Sequence, residues 1–494
     1  MGLKDQFQAR PTTLRMAFPS ANKIESYEPS NIRIAYEYIL LENLYSALVE
    51  VDPKTGQLLP AAAESFAWIG DELHLKMRDD LKTLSGQPIT AKDAVFSLKR
   101  IIVLAKNTHG NFQDLVCPGI ELKSIHESCP GIEYKENTVI LKPGGKKTIL
   151  LPMLAAIDFA ILPEKSVDPE TLAIKNYQET SGLYYVANDD GNGRITLKQN
   201  PGHFHAASDI AQTVELVPFN AKAGESALAL FEKDLVDHIP TTNSGKIEEL
   251  ISYSSTHGGV QAHATMKIKN FVLIFTDEGR KKLSLEQRRW LGEKIRESFL
   301  EIYSGTPGYQ SSREFFPALS EGGLSDLQRQ ELERINEALK PVNLPPLRIA
   351  LLKAGDIDQW AKPILHRVPG LDLFLSRIIP DLHTYSHPSE MPAAVIAGTD
   401  TGFMEDINLI SYSLNAGYLG LKKSERAGWV KRYMETPSKE ERIESLRDLH
   451  FAALRNADIV PLVISPFVAL SRKPWRMELS ELYANNQLWL VKNH

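Results

Sequence analysis

The sequence predicts an α/β protein built as two interwoven regions. Three observations support this. Apolar strand-like runs alternate with amphipathic helical segments along the whole chain. No long Gly/Ser linker separates one region from the next, so the chain crosses between regions and does not string them like beads. A length of 494 residues, 43% hydrophobic and 24% charged, supplies the cores of roughly two to four domains.

The elements follow in order. TLRMAF (13–18) reads as a first strand. The next stretch places Ile34, Tyr38, Leu41, Leu44, Tyr45 and Leu48 at helical spacing and ends near a Pro53/Gly56 turn. SFAWIGDELHLKMRDDLK alternates on either side of Gly70-Asp71, the pattern of a β-hairpin. Thr90, with Asp93 three residues on, caps a helix that continues through Val95, Leu98 and Ile102. NTVILK, TSGLYYV and GRITLKQN read as strands, and ESALALFEKDLVDHI as a short helix leading into a strand. A second α/β region follows, with strands at NFVLIFTD, LRIALLK and MPAAVIAGTD, a further apolar run at DLFLSRIIP, and helices at SLEQRRWLGEKIRESFLEIY and SKEERIESLRDLHFAALRNAD, the latter capped by Ser438. IVPLVISPFVALSR returns to β character.

Composition and motifs exclude several functions. A formal net charge of −6, with no basic run interleaved with aromatics, argues against nucleic acid as a partner. KPGGKKT (142–148) reads as a solvated hairpin loop. The longest apolar stretch, 149–162, is broken by Pro152 and Asp158 and is too short to span a bilayer. The opening MGLKDQFQARPTTLRMAFPSANK lacks the apolar region of a signal peptide, which leaves a cytoplasmic protein or an exported one whose leader has been removed. His-Glu-x-x-His, the P-loop, EF-hand spacing and Gly-x-Ser-x-Gly are all missing. PGHFH brings His203 and His205 together with no carboxylate nearby in sequence, the pattern of surface residues. This lack of a catalytic constellation points to a binding protein. Cys117 and Cys129 each open the phrase CPGIE. They are read either as a small disulfide loop or as two free buried thiols; four zinc ligands are not at hand.

AGTDTGFMEDIN (397–408) contains Asp400-Thr401-Gly402 after an apolar strand. Asp-Thr-Gly is how an aspartic protease presents a carboxylate, but that chemistry needs two carboxylates sharing a proton, and the sequence holds no second copy. A polar turn after a buried strand is instead where α/β proteins place binding groups.

Four segments resemble the extracytoplasmic solute-binding proteins of ABC importers, in the oligopeptide/dipeptide/nickel-binding family (family 5). ENLYSALVEVDPKTGQLLPAAAESFAW (42–68) is similar to that family's opening helix, aspartate-proline turn and following phrase. GDELHLKMRDDLKTLSGQPITAKDAVFSLKR matches its hairpin, Gly-x-Pro turn and helix start. TSGLYYV with GRITLKQNPGHF resembles a Gly-Pro-Tyr strand and Asn-Pro turn, with Leu183 where proline is usual. ADIVPLVISPFVALSRKPW and NNQLWLV look like the closing strands.

The resemblance implies a two-lobed periplasmic-binding-protein fold (type II, large peptide-binding subclass) with an extra subdomain in lobe one. The expected lobes are 1–238 plus 462–494, with an inserted subdomain at about 45–180, and 239–461. The implied function is hinge closure on an oligopeptide or other organic solute and delivery to a membrane permease, by a periplasmic or extracytoplasmic monomer without cofactor. That oxidising compartment favours a Cys117–Cys129 disulfide. The family's amine-binding Asp falls at Gly402, two residues after Asp400, so that role does not transfer cleanly. Asp400 is a candidate ligand anchor; the alternative is that Asp400 and Thr401 only hold their turn. A cleft for an organic solute needs aromatic walls and a few fixed polar groups. Residues in turns after strands or near the crossings give the candidates Asn22, Tyr27, His109, Phe112, Asn243, Thr399, Asp400, Thr401 and Phe403. The competing readings are a hydrolase using Asp400 or Glu405, and a cytoplasmic peptide-binding scaffold.

Overall fold

The computed structural model describes residues 12–19, 27–32, 35–52, 57–105, 110–144, 147–220, 223–240, 247–306, 309–316, 322–352, 357–376, 390–400, 414, 417–478 and 487–493. The chain divides into two compact units, Met1–Thr265 with Phe467–His494, and Met266–Pro466. The units divide the chain at 265/266 and 466/467; the sequence reading expects 238/239 and 461/462. The reason is packing. The helix at Ile247–Thr256 buries Leu250, and beside it Ile247, Ile251 and Tyr253, against Phe231, Val236 and Val468 of unit one.

In chain order unit one contains β1 (Thr13–Pro19), α1 (Ala35–Leu44), β2 (Val49–Val51), β3 (Leu58–Pro60), β4 (Ala63–Ile69), β5 (Glu72–Met77), α2 (Ala91–Ala105) and α3 (Gly110–Val116). It continues with β6 (Ile132–Lys135), β7 (Thr138–Leu141), α4 (Lys147–Met153), β8 (Tyr184–Asp189), β9 (Ile195–Gln199), β10 (Thr213–Phe219), α5 (Ala227–Glu232), β11 (His238–Ile239) and α6 (Ile247–Thr256). From Met16 on, β1 is buried on both faces because it feeds two cores: Leu14, Met16 and Phe18 enter one and Ala17 the other. β10 pairs with it in parallel and does the same, with Val214 and Leu216 on one side and Val217 and Phe219 on the other. β9 and β8 extend the sheet antiparallel beyond β10, and β11 flanks β1 on the opposite side.

The stretch expected as a subdomain carries its own sheet, in the order β4-β5-β7-β6. α2 begins where its cap predicts: the Thr90 N–H and hydroxyl both donate to Asp93 Oδ2, at 2.9 and 2.8 Å. Farther along α2, Arg100 is buried and its guanidinium meets both oxygens of Glu28 while donating to the Leu172 carbonyl. Cys117 and Cys129 are joined, with Cα atoms 5.4 Å apart. Gly131 sits so close to the end of α3 that a Cβ there would lie 1.9 Å from the Val116 carbonyl oxygen.

Unit two follows from β12 (Val260–Phe275), whose residues up to 265 still belong to unit one. It holds α7 (Asp277–Lys282), α8 (Leu285–Ile302), β13 (Gln310–Ser311), α9 (Asp326–Glu337), β14 (Leu347–Leu352), α10 (Ile357–Arg367), β15 (Leu371–Ser376), β16 (Ala394–Asp400), α11 (Lys423–Glu435), α12 (Lys439–Arg455) and β17 (Ile459–Arg472), which leaves the unit after residue 466. The strand order is β15-β14-β16-β12-β17, with β13 on β17. α8 and α9 start in capping boxes made by Ser284 with Gln287 and Ser325 with Gln328. Arg288 and Arg289 on α8 donate to the carbonyls of Arg455, Asn456 and Ala457, satisfying the exposed carboxyl end of α12. Leu291, Ile295 and Phe299 of α8, with Trp360 and Ile364 of α10, cover Leu273, Phe275, Ile349, Leu351 and Ile396 of the sheet. Back in unit one, β18 (Trp475–Met477) and β19 (Val491–Asn493) form an antiparallel pair at the chain's end.

Candidate functional site

Strand direction decides where the polar turns of each unit emerge. In unit two β14, β15 and β16 run parallel, with Leu352 opposite Ser376 and Leu351 opposite Ile396. Their carboxyl ends therefore share one edge. β16 runs antiparallel to β12, in a register that sets Thr399 opposite Asn270 and Asp400 opposite Lys269. This places the last two residues of β16 beside the point where β12 enters unit two. Thr401 and Phe403 lie outside the described residues.

Sequence reasoning missed Asn270 on this edge. Its side chain is almost fully buried, and its Nδ2 donates to the carbonyls of Glu314 and Phe315 at 2.9 and 3.0 Å. Among the described residues its Oδ1 has no hydrogen-bond partner. The available signal was a polar residue heading the apolar run NFVLIF, a position strands seldom give to Asn. The turn it holds is fixed from behind by His450, whose Nε2 accepts the Phe315 N–H at 2.9 Å and whose Nδ1 donates to the Gly322 carbonyl. Burial pushes this imidazole down to about 4, and it stays neutral at pH 7, as its accepting nitrogen requires. Glu314 completes the turn by accepting from the Leu324 N–H and from Arg329.

Unit one repeats the logic. β1, β10 and β11 are parallel neighbours, with Pro19 opposite Phe219 and Met16 opposite His238, so their carboxyl ends also share an edge. Asn22 and Asn243 follow β1 and β11 in the chain but lie outside the described residues, as does His109. The other two candidates in this unit are interior. Tyr27 is buried, edge-on to Tyr177, and its hydroxyl donates to Asp189 Oδ2 at 2.5 Å; burial and that carboxylate raise its pKa. Phe112 is fully buried with its ring 4.9 Å from that of Phe159. Each packs within unit one, so in this structure they serve as core residues and not as walls open to a solute.

The reading of PGHFH as a surface pair is corrected by the structure. His203 is buried, its Nε2 2.9 Å from Ser46 Oγ and its Nδ1 accepting the His205 N–H at 3.1 Å. Burial, with His205 and Arg78 nearby, pushes it well below the usual imidazole range. A carboxylate is in fact at hand, 155 residues away in sequence: Glu50 lies 3.0 Å from His205 Nε2. Among the described residues no group of three or more His, Cys, Asp or Glu side chains is placed to hold a metal ion. No described helix is long and apolar enough to cross a membrane.

The geometry thus offers in each unit an edge where parallel strands end together, the kind of place where open α/β sheets bind ligands. No protein-family model matches the sequence, and no curated protein matches it. Solved structures do. The ABC transporter-associated periplasmic binding protein DppA from Helicobacter pylori, in complex with peptide STSA, superposes with a TM-score of 0.70 at 15% identity, over 97% of this chain and 98% of that one. OppA from Haemophilus influenzae, in complex with RPPGFSPFR, gives 0.68 at 16% identity, over 98% and 99%. NikA from Brucella suis, in complex with Fe(III)-EDTA, gives 0.74 at 13% identity, over 98% and 100%. At this level of identity the likeness is one of fold, and it runs the full length of the chain: the protein adopts the α/β fold of these binding proteins.

Proposed function

We propose that the chain is the substrate-binding protein of an ABC importer, working outside the cytoplasm to capture a peptide or other organic solute and pass it to a membrane permease. The observation that carries this reading is the fold likeness to DppA and OppA over nearly the whole of each chain. A Cys117–Cys129 disulfide suits the oxidising compartment this function requires. The carboxyl edges of the sheets are the proposed sources of ligand contacts, with Asp400 at the end of β16 as the anchor in unit two. A carboxylate in a site that loses water on binding is costly unless a cation or donor meets it, so an amine or amide of the solute is its expected partner. The protein acts as a monomer and holds no cofactor.

Native mass spectrometry with defined peptide mixtures tests the reading. Retained, uncleaved peptide is the expected result. Cleavage products that vanish in Asp400→Ala would replace binding by hydrolysis. With a captured solute in hand, Asp400→Asn is expected to weaken binding by about 1.5–3 kcal/mol, the usual worth of a charge-assisted hydrogen bond, and calorimetry measures it. Unchanged affinity would leave Asp400 a turn residue.

A further inference from the structure

On the face of the unit-two sheet covered by α8 and α10, the cover stops before the strands do. Alternation puts Ala394, Ile396 and Gly398 of β16 on that face, opposite Phe275, Leu273 and Phe271 of β12. Ile396 is fully buried, whereas Gly398, the next position of this face in a central strand, is exposed. On its other side β14 ends at Leu352, which the register sets level with Ala397. The last part of the cover is aromatic. Trp360, 4% exposed, stands edge-on to Phe271 with ring centroids 5.5 Å apart, and its Nε1 donates to the Tyr303 hydroxyl at 3.1 Å. Tyr303 lies at 20° to Phe271 and stacks on Tyr309 at 4.2 Å. Phe271, Tyr303 and Tyr309 are only partly buried. Gly398 thus forms the floor of a notch, and Phe271 forms its wall.

We infer that this notch receives a planar aromatic ring of the captured solute, a step that rests on the binding reading above for the origin of the ring. Strand backbone without a Cβ lets a flat group lie against the sheet, where any side chain at 398 would stand in its place. The wall then selects the group. A ring beside Phe271 joins an aromatic cluster that already uses edge-on and parallel contacts, and such pairs gain more than the area they bury. A saturated ring of the same size is thicker and has no quadrupole to match. Asp400, the proposed anchor, lies two residues farther along β16, roughly 7 Å of strand. The solute that fits therefore carries an amine and an aromatic ring close together.

The test is fluorine NMR of the full chain carrying fluorotryptophan. The chain has 6 tryptophans, and Trp360→Phe identifies the resonance at the notch. L-phenylalaninamide is expected to shift that resonance saturably, and L-alaninamide to leave it in place. L-cyclohexylalaninamide, equally bulky but not planar, should bind about three- to tenfold more weakly, the worth of an aromatic pair. Gly398→Val puts a strand-compatible side chain on the floor and should abolish the response, with the other tryptophan resonances reporting that the variant is folded. If it does not fold, Phe271→Leu takes its place and should erase the preference for the aromatic ring. No shift with L-phenylalaninamide, equal affinity for the two rings, an undiminished response in folded Gly398→Val, or a preference that survives in Phe271→Leu overturns the inference. Native mass spectrometry with the peptide mixtures separates this from the transport reading. A shifted Trp360 signal with no peptide retained supports the notch and sinks that reading; peptides retained regardless of aromatic content, with Trp360 unmoved, do the reverse.

Discussion

Asp458, at the head of β17, is a carboxylate placed where ionisation is penalised. It is 8% exposed, and Gly420 is pressed against it so tightly that a Cβ there would lie 2.6 Å from Oδ2. Its nearest cation, Arg280, stands 3.9 Å away and is committed to Asp277 and to the Phe275 carbonyl. Burial lifts its pKa to about 6; Arg280 and Arg288 oppose this, and Asp277 adds to it. The native state therefore binds this proton more tightly than the unfolded chain does, and between about pH 4 and 6 folding takes up a proton. Stability falls as pH rises through this window and then levels off above it. A displacement of about two pKa units at 1.36 kcal/mol each corresponds to about 3 kcal/mol of stability missing at pH 7. Asp458→Asn keeps the shape and removes the charge. Urea denaturation is expected to find the variant about 2–3 kcal/mol more stable than wild type at pH 7.5 and equal to it near pH 4, with exchange in β17 and α12 locating the gain in unit two. A difference that is the same at both pH values, or a variant less stable at pH 7.5, would refute the reasoning, because it would mean the carboxylate is satisfied when charged.

Other substitutions probe the packing that holds each unit together. Arg100→Ala leaves the partly buried Glu28 and the buried Leu172 carbonyl without their Arg100 partner and should cost about 3 kcal/mol by chemical denaturation. Burial alone would raise the Glu28 carboxyl, but Arg100 and Ser30 hold it below its ordinary value, so the wild type should also lose stability on acidification below about pH 4.5 and the variant should not share that loss. Labelling of the unfolded, unreduced protein should detect no free thiol, and Cys117→Ala should cost about 3 kcal/mol for a loop closed across 12 residues. Gly279→Ala would put a Cβ 1.9 Å from the Ala393 carbonyl oxygen, where α7 crosses the start of β16; a drop in melting temperature is expected, and an unchanged value would show that this approach can relax.

Local chemistry was readable in the sequence. TLRMAF became β1, the Thr90–Asp93 cap starts α2, Ser438 caps α12, and Gly70-Asp71 turns the β4–β5 hairpin. These signals work because a cap, a turn or a run of apolar residues is settled within a few neighbours. The end of the strand at Asp400 was legible for the same reason. The first boundary was not, since α6 is an ordinary amphipathic helix whose unit depends on which core accepts Leu250. Nor were the polar contacts that matter most for chemistry: His205 finds Glu50 across 155 residues, Arg100 finds Glu28 across 72, and Asn270 reaches Phe315 across 45. By itself the sequence determined the α/β pattern, the helix caps and the polar turns that follow buried strands. Only the tertiary structure decided that strands separated in the chain end on a common edge, and that charged and aromatic side chains distant in sequence become partners. Strand direction and register are set by packing among remote segments, and no local pattern encodes them.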